Sequence, residues 1–172
     1  MWIKLNGESG SGKSTIAKNV AFKLNLLPRI FVDKEDVIIK KYSRQIEFIL
    51  NKNLNRSATY LGNKIQPNKY FNIEKHQNKN LYNVLKIQEY SKHLSEGESQ
   101  RFKLLEAIST SPGLLIMDEC LSGLPEELEY QVLYCIKQNY ASINCLYISH
   151  RLNTQIDGLF EKSLRLTENK ST

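Results

Sequence analysis

An α/β fold with a mostly parallel sheet flanked by helices is predicted by three features of the chain. Strand-sized apolar runs alternate with segments of helical period, a Gly-rich stretch separates the first strand from the first helix, and the apolar run Leu114–Asp118 reads as a strand buried on both faces. Trp2 to Asn6 is a short strand closing on Gly7. Lys13 to Leu24 carries Ile16, Val20 and Leu24 at helical spacing, and Pro28 stops it. Arg29 to Asp33 reads as a second strand. The stretch from Asn51 to Asn83, rich in Asn and Lys and without period, reads as loops with a short helical insert. Glu98 to Ile108 is helical, with Phe102, Leu105 and Ile108 on one face, and Ser111-Pro112-Gly113 turns the chain. Pro125 suits the first turn of a helix running to about Asn139. Ile143 to Ser149 is the next strand and Ser163 to Leu166 the last. No internal repeat or linker divides the 172 residues, so one domain is expected.

Composition agrees. Hydrophobic residues make up 41% and charged residues 24%, which fits a soluble globular chain and excludes a disordered or collagen-like one. No apolar run approaches the roughly 20 residues that span a bilayer. Met1 to Gly7 meets Gly and Glu before any apolar region forms, so no secretory signal is expected. The net charge of +6 favours anionic partners such as nucleotides, nucleic acid or an anionic membrane face, although no dense basic run appears. Cys120, Cys135 and Cys145 form neither a C-x-x-C pair nor an even set, and are expected as reduced, buried thiols.

The chemistry starts at Gly7-Glu8-Ser9-Gly10-Ser11-Gly12-Lys13-Ser14, which fits the phosphate-loop pattern G-x-x-x-x-G-K-[ST] between a strand and an amphipathic helix. Glycines let successive N–H groups turn toward phosphate oxygens, and the helix N-terminus adds partial positive charge. Lys13 can neutralise β- and γ-phosphates, and the Ser14 hydroxyl can ligate Mg²⁺. The expected nucleotide contacts run from Gly7 through Glu8, Ser9, Gly10, Ser11, Gly12, Lys13 and Ser14 to Thr15. At the end of Leu114–Asp118, Asp118 would hold Mg²⁺ through water and Glu119 would orient and polarise an attacking water. The fold class is therefore a P-loop NTPase.

A further segment, Leu94-Ser95-Glu96-Gly97-Glu98-Ser99-Gln100-Arg101, could cap a helix with Ser95 and Gly97, whose free N–H groups and hydroxyl bind an anion. It resembles the signature of ABC-type ATPases, and it stands before the acidic strand, as in that family. Other positions extend the likeness across most of the chain, most closely to the nucleotide-binding domains of ABC exporters. Gln66, followed by Pro67, resembles the loop glutamine that senses Mg²⁺. Glu89 matches the acidic position ahead of the signature, and Ile30 to Val37 matches the strand and turn after the first helix. Ser122-Gly123-Leu124-Pro125, with Glu129 beyond, resembles the loop written Ser-Ala-Leu-Asp. His150, in Ile148-Ser149-His150-Arg151-Leu152, resembles the switch histidine that touches the γ-phosphate.

The resemblance implies a mechanism and partners. Two such domains, as a homodimer or heterodimer, would sandwich two ATP molecules, with Ser95 and Gly97 of one facing the phosphate loop of the other. Glu119, His150 and Lys13 would be catalytic, with Ser14, Gln66 and Asp118 about Mg²⁺. The engine would drive export of a small molecule or peptide through a separate transmembrane subunit, at the cytoplasmic face of the membrane. Four departures modify this. Trp2 is too close to Gly7 to stack on adenine and is expected in the core or at an edge, so nucleotide affinity should be weak. Glu96 replaces a signature glycine and its carboxylate would repel a γ-phosphate unless turned outward. Pro125 stands where the family has an Asp that contacts the opposing subunit. The interval from Gln66 to Leu94 is short, so the helical subdomain, within residues 67–100, should be compact. The alternatives are a DNA-associated ABC ATPase, suggested by Glu98, Gln100-Arg101 and the basic balance; a small-molecule P-loop kinase; and a nucleotide-dependent switch with little turnover.

Overall fold

The computed structural model describes residues 1–23, 41–46, 50, 58–62, 83–85, 96–109 and 113–166. Among these, five strands form one sheet: β1 (Trp2–Gly7), β2 (Ala58–Gly62), β3 (Leu114–Asp118), β4 (Asn144–Ser149) and β5 (Lys162–Leu166). Their order is β2-β3-β4-β1-β5 and every pairing is parallel. The helices are α1 (Lys13–Lys23), α2 (Glu96–Ser109), α3 (Glu126–Asn139) and the short α4 (Thr154–Asp157). Residues 41–46 are also helical.

Side chains alternate across a strand, so each interior strand serves two cores. On one face Ile3 and Leu5 of β1, Leu114 and Ile116 of β3, and Leu146 and Ile148 of β4 pack with Ile16, Ala17 and Val20 of α1 and with Ile46 and Leu50. On the other, Trp2, Leu115, Met117, Cys145 and Tyr147 meet Phe102, Leu105 and Ile108 of α2 and Val132, Leu133 and Ile136 of α3. The unbroken apolar run of β3 follows from burial on both faces, each large side chain contributing roughly 1.5–3 kcal/mol relative to an exposed one. Lys4 shares the face of Trp2 and pairs in register with Tyr147. It is fully buried, and its ammonium is held 2.5 Å from Asp157 of α4.

Most of the expected elements are present with bounds moved by a residue or two. One expectation is corrected: Asn51 to Asn83 contains a core element, β2, where loops and a helical insert were expected. Ala58-Thr59-Tyr60-Leu61-Gly62 pairs along its length with β3, from Ala58 opposite Leu114 to Gly62 opposite Asp118. Among the described residues it pairs on one side only, at the edge of the described sheet, where a run need not be apolar throughout. The strand expected at Arg29–Asp33 lies outside the described residues. Trp2 is a core residue, 2% exposed, with its indole N–H donated to the Ile143 carbonyl at 3.0 Å. Cys120, Cys135 and Cys145 are free and buried.

Candidate active site

Parallel strands place all their carboxyl ends on one edge, and ligand crevices in open α/β sheets lie outside that edge. With β3, β4 and β1 adjacent, the ends at Asp118, Ser149 and Gly7 fall side by side. Residues far apart in the chain are gathered there.

Beyond β1 the chain must turn sharply into α1. Gly10 at φ 83° and Gly12 at φ 91° take left-handed conformations that cost other residues roughly 1–2 kcal/mol. Gly7 is required for space: a Cβ there would lie 2.7 Å from the Ser11 hydroxyl oxygen and 3.1 Å from Cβ of Leu166. The loop is braced by the Ser11 N–H donating to the Glu8 carbonyl at 3.2 Å. Glu8, Ser9 and Gly10 are exposed, while Ser11, Gly12, Ser14 and Thr15 are half-buried. Lys13 is 4% exposed, and its ammonium donates to the carbonyls of Gly7 at 2.9 Å and Glu8 at 2.6 Å. A positive charge is thus held within the glycine turn.

The Ser14 hydroxyl donates to Asp118 Oδ1 at 2.9 Å. The hydroxyl and the carboxylate thus stand side by side, where Ser14 would ligate Mg²⁺ and Asp118 would hold it through water. No group of three or more His, Cys, Asp or Glu suited to a metal occurs among the described residues. Phosphate oxygens and water would complete such a shell, as is usual for this hard cation.

Directly after Asp118 the chain leaves the sheet through Glu119, a non-glycine residue at φ 54°. Its N–H donates to the Ile148 carbonyl of β4 at 3.1 Å, which ties the turn to the neighbouring strand. Strained backbone of this kind persists where its surroundings over-determine it, often at functional sites. His150, immediately after β4, brings Nδ1 to 3.7 Å from Glu119 Oε1, adjacent but too long for a hydrogen bond. Both side chains keep access to solvent, 48% for the histidine and 28% for the glutamate.

Behind these two residues lies a polar network. Glu129 of α3, buried, accepts from the Tyr147 hydroxyl at 2.5 Å and from Arg151 Nη1 at 2.8 Å. Burial and the Glu129 carboxylate push the Tyr147 hydroxyl pKa well up, so it is a fixed donor. Arg151 also donates to the carbonyls of Leu124 and Ser122. Burial, with Asp118 nearby, pushes the Cys120 thiol up to about 12, leaving it unreactive.

Lys13, Ser14, Asp118, Glu119 and His150 are therefore brought to one edge with the loop from Gly7 to Gly12. Gln66, Glu89 and Ser95 lie outside the described residues. Gly97 is corrected from a helix cap to the first turn of α2, because the helix starts at Glu96. First-turn N–H groups still lack helical partners, so the position retains the means to meet an anion. Pro125 is the cap of α3, at φ −55° and ψ 145°, and offers no side-chain hydrogen bond. Lys4, Arg151 and Asp157 join the site's surroundings without having been expected there from the sequence. A lysine within an otherwise apolar strand was the available signal, since buried lysines need a partner.

A site built this way is that of a P-loop NTPase. Residues 1–122 match the family model described as ABC transporter, and the chain belongs to that family. It is 31% identical over 169 residues to the methionine import ATP-binding protein MetN 1 of Bacillus thuringiensis subsp. konkukian, covering 86% of this chain and 49% of that protein. It is 30% identical over 174 residues to the oligopeptide transport ATP-binding protein OppF of Lactococcus lactis subsp. lactis, covering 87% and 54% respectively. The alpha-hemolysin translocation ATP-binding protein HlyB of Escherichia coli is 26% identical over 170 residues, covering 88% of this chain and 24% of HlyB. The chain spans about half the length of the first two relatives. A solved dimeric bacterial ABC transporter cassette superposes with TM-score 0.58 at 16% identity, covering 96% of this chain and 80% of the cassette, which supports the fold. The relatives thus include a methionine import protein and an oligopeptide transport protein, both at higher identity than the alpha-hemolysin translocation protein.

Proposed function

We propose that this chain is the ATP-binding and ATP-hydrolysing subunit of a transport system. One observation carries the reading: the Ser14 hydroxyl and Asp118 carboxylate meet at 2.9 Å beside the buried ammonium of Lys13, with Glu119 and His150 on the same sheet edge. The loop N–H groups and Lys13 bind and neutralise the triphosphate, Mg²⁺ supplying further charge neutralisation when held by Ser14, Asp118 and Gln66. Glu119, solvent-accessible yet fixed by its backbone, orients water toward the γ-phosphate, and His150 steadies the phosphate oxygens.

Two copies of the chain, or this chain and another ABC ATPase, close over ATP with Ser95 and Gly97 across from the phosphate loop. Hydrolysis then releases the halves, and a separate transmembrane subunit turns that motion into transport. Among the described residues no helix is long and apolar enough to cross a membrane, so passage would depend on that subunit. The proposed place is peripheral, at the cytoplasmic face. Export of a small molecule or peptide was expected; the methionine import relative, at 31% identity, favours the opposite direction.

The test compares MgATP hydrolysis and self-association of the native chain and Glu119→Gln. Turnover should fall by on the order of 10²–10⁴-fold while nucleotide binding persists and light scattering shows nucleotide-dependent pairing. Unchanged turnover in Glu119→Gln would refute the assignment of the catalytic carboxylate.

A further inference from the structure

Glu119 and His150 sit on different loops, one after β3 and one after β4; the Glu119 N–H bond to the Ile148 carbonyl joins the loops at their bases, and the rest of the 119–125 loop needs a further tie to the His150 side. Arg151 is placed to supply it. Nη1 donates to the Leu124 carbonyl at 2.6 Å and to Glu129 Oε2 at 2.8 Å, while Nη2 donates to the Ser122 carbonyl. Ser122 in turn is bound to Glu119, its N–H and its hydroxyl both donating to the Glu119 carbonyl, at 3.1 Å and 2.8 Å. The contacts close a ring: Glu119 to Ser122, Ser122 to Arg151, Arg151 through the chain to His150, and His150 back to Glu119 at 3.7 Å.

The base of the ring is buried and hydrogen-bonded. Glu129 has a side chain only 1% exposed and is also held by Tyr147 of β4. The Arg151 N–H donates to the Ser149 hydroxyl at 3.1 Å, and its carbonyl accepts from the buried Lys4 ammonium at 3.2 Å. Three acceptors in different directions suit a planar guanidinium fork and cannot all be met by the point charge of a lysine.

We propose that Arg151 is a positioning residue that locks the loop of residues 119–125 to the His150 loop, and so sets the geometry of the Glu119–His150 pair. It acts through its neighbours and need not touch substrate. The proposal rests on the hydrolytic reading above for its kinetic consequence, and on geometry alone for the coupling of the loops.

The test uses Arg151→Lys, which keeps a cation beside Glu129, and the double variant Glu129→Gln with Arg151→Met, which removes both charges and so strands neither. Displacement of ~1 Å in an active site can cost on the order of 10²-fold in rate. In both variants kcat for MgATP should fall at least about tenfold with KM within about twofold, because the phosphate loop is untouched. In nucleotide-free protein, amide exchange in residues 119–124 should accelerate about tenfold or more, while β1 and β4 keep native protection. Native-like exchange in this loop for Arg151→Lys overturns the proposal, as does loss of protection throughout the sheet in both variants, which would make the role one of stability. Absence of hydrolysis by the native chain would defeat the functional reading instead, and the exchange comparison would still decide the lock.

Discussion

Removing the carboxylate of Asp157 strands the ammonium of Lys4 inside the protein, whereas removing the ammonium leaves the carboxylate near water. The pair is 2.5 Å apart, with Lys4 fully buried and the Asp157 side chain 33% exposed. In Asp157→Ala the remaining charge keeps, among the described residues, the Arg151 carbonyl, 3.2 Å away, as its acceptor. Breaking a buried pair so that one charge is left uncompensated costs roughly 3–5 kcal/mol, and the surviving acceptor puts this case near about 3 kcal/mol. In Lys4→Met the apolar stem is replaced by one of similar volume and Asp157 rehydrates. The loss is then one partly screened ion pair and one hydrogen bond, about 1 kcal/mol. Urea unfolding at neutral pH measures both. At a slope of about 2 kcal/mol per M the midpoints should drop by about 1.5 M and about 0.5 M. Equal losses, or a larger loss for Lys4→Met, would refute the claim that the asymmetry of burial decides the cost.

Four further outcomes are expected. Gly10→Ala meets no atom within 4 Å of its new Cβ and should cost only left-handed strain, about 1 kcal/mol in thermal melts. Gly7→Ala must displace both Ser11 and Leu166 and should also raise KM for MgATP. Native protein should react with iodoacetamide at none of Cys120, Cys135 or Cys145 at pH 8, since burial raises all three thiols, and at all three in urea, as read by mass spectrometry. Burial pushes the Glu161 carboxyl up, but the Trp2 N–H and Lys137 outweigh it and hold the group below its ordinary 4.5. Its contribution to stability is therefore present above that value and is lost as pH falls through the lower folded pKa. Glu161→Gln should flatten the acid limb of a stability–pH curve.

The phosphate loop was legible in the sequence because its chemistry is local. Turn glycines, a lysine and a hydroxyl at set spacing build the cradle from one contiguous stretch, and Gly10 and Gly12 take the conformations their type permits. The strand Leu114–Asp118 was legible for a related reason, since burial on both faces leaves an unbroken apolar run. Strand β2 was not, because an edge strand with a mixed composition carries a weak pattern. Its pairing belongs to β3 more than to its own residues.

Asp118, Glu119 and His150 were picked out as separate residues by their types and by likeness to a family. That they gather at the sheet edge that carries the phosphate loop follows from strand order, which places β3, β4 and β1 side by side. The lock formed by Arg151 and the pairing of Lys4 with Asp157 were decided by tertiary structure alone. Arg151 grips the carbonyls of Ser122 and Leu124, and a carbonyl is the same in every residue, so no sequence pattern announces which one will be gripped. Local chemistry is written in residue types; the distances between loops exist only once the sheet has closed.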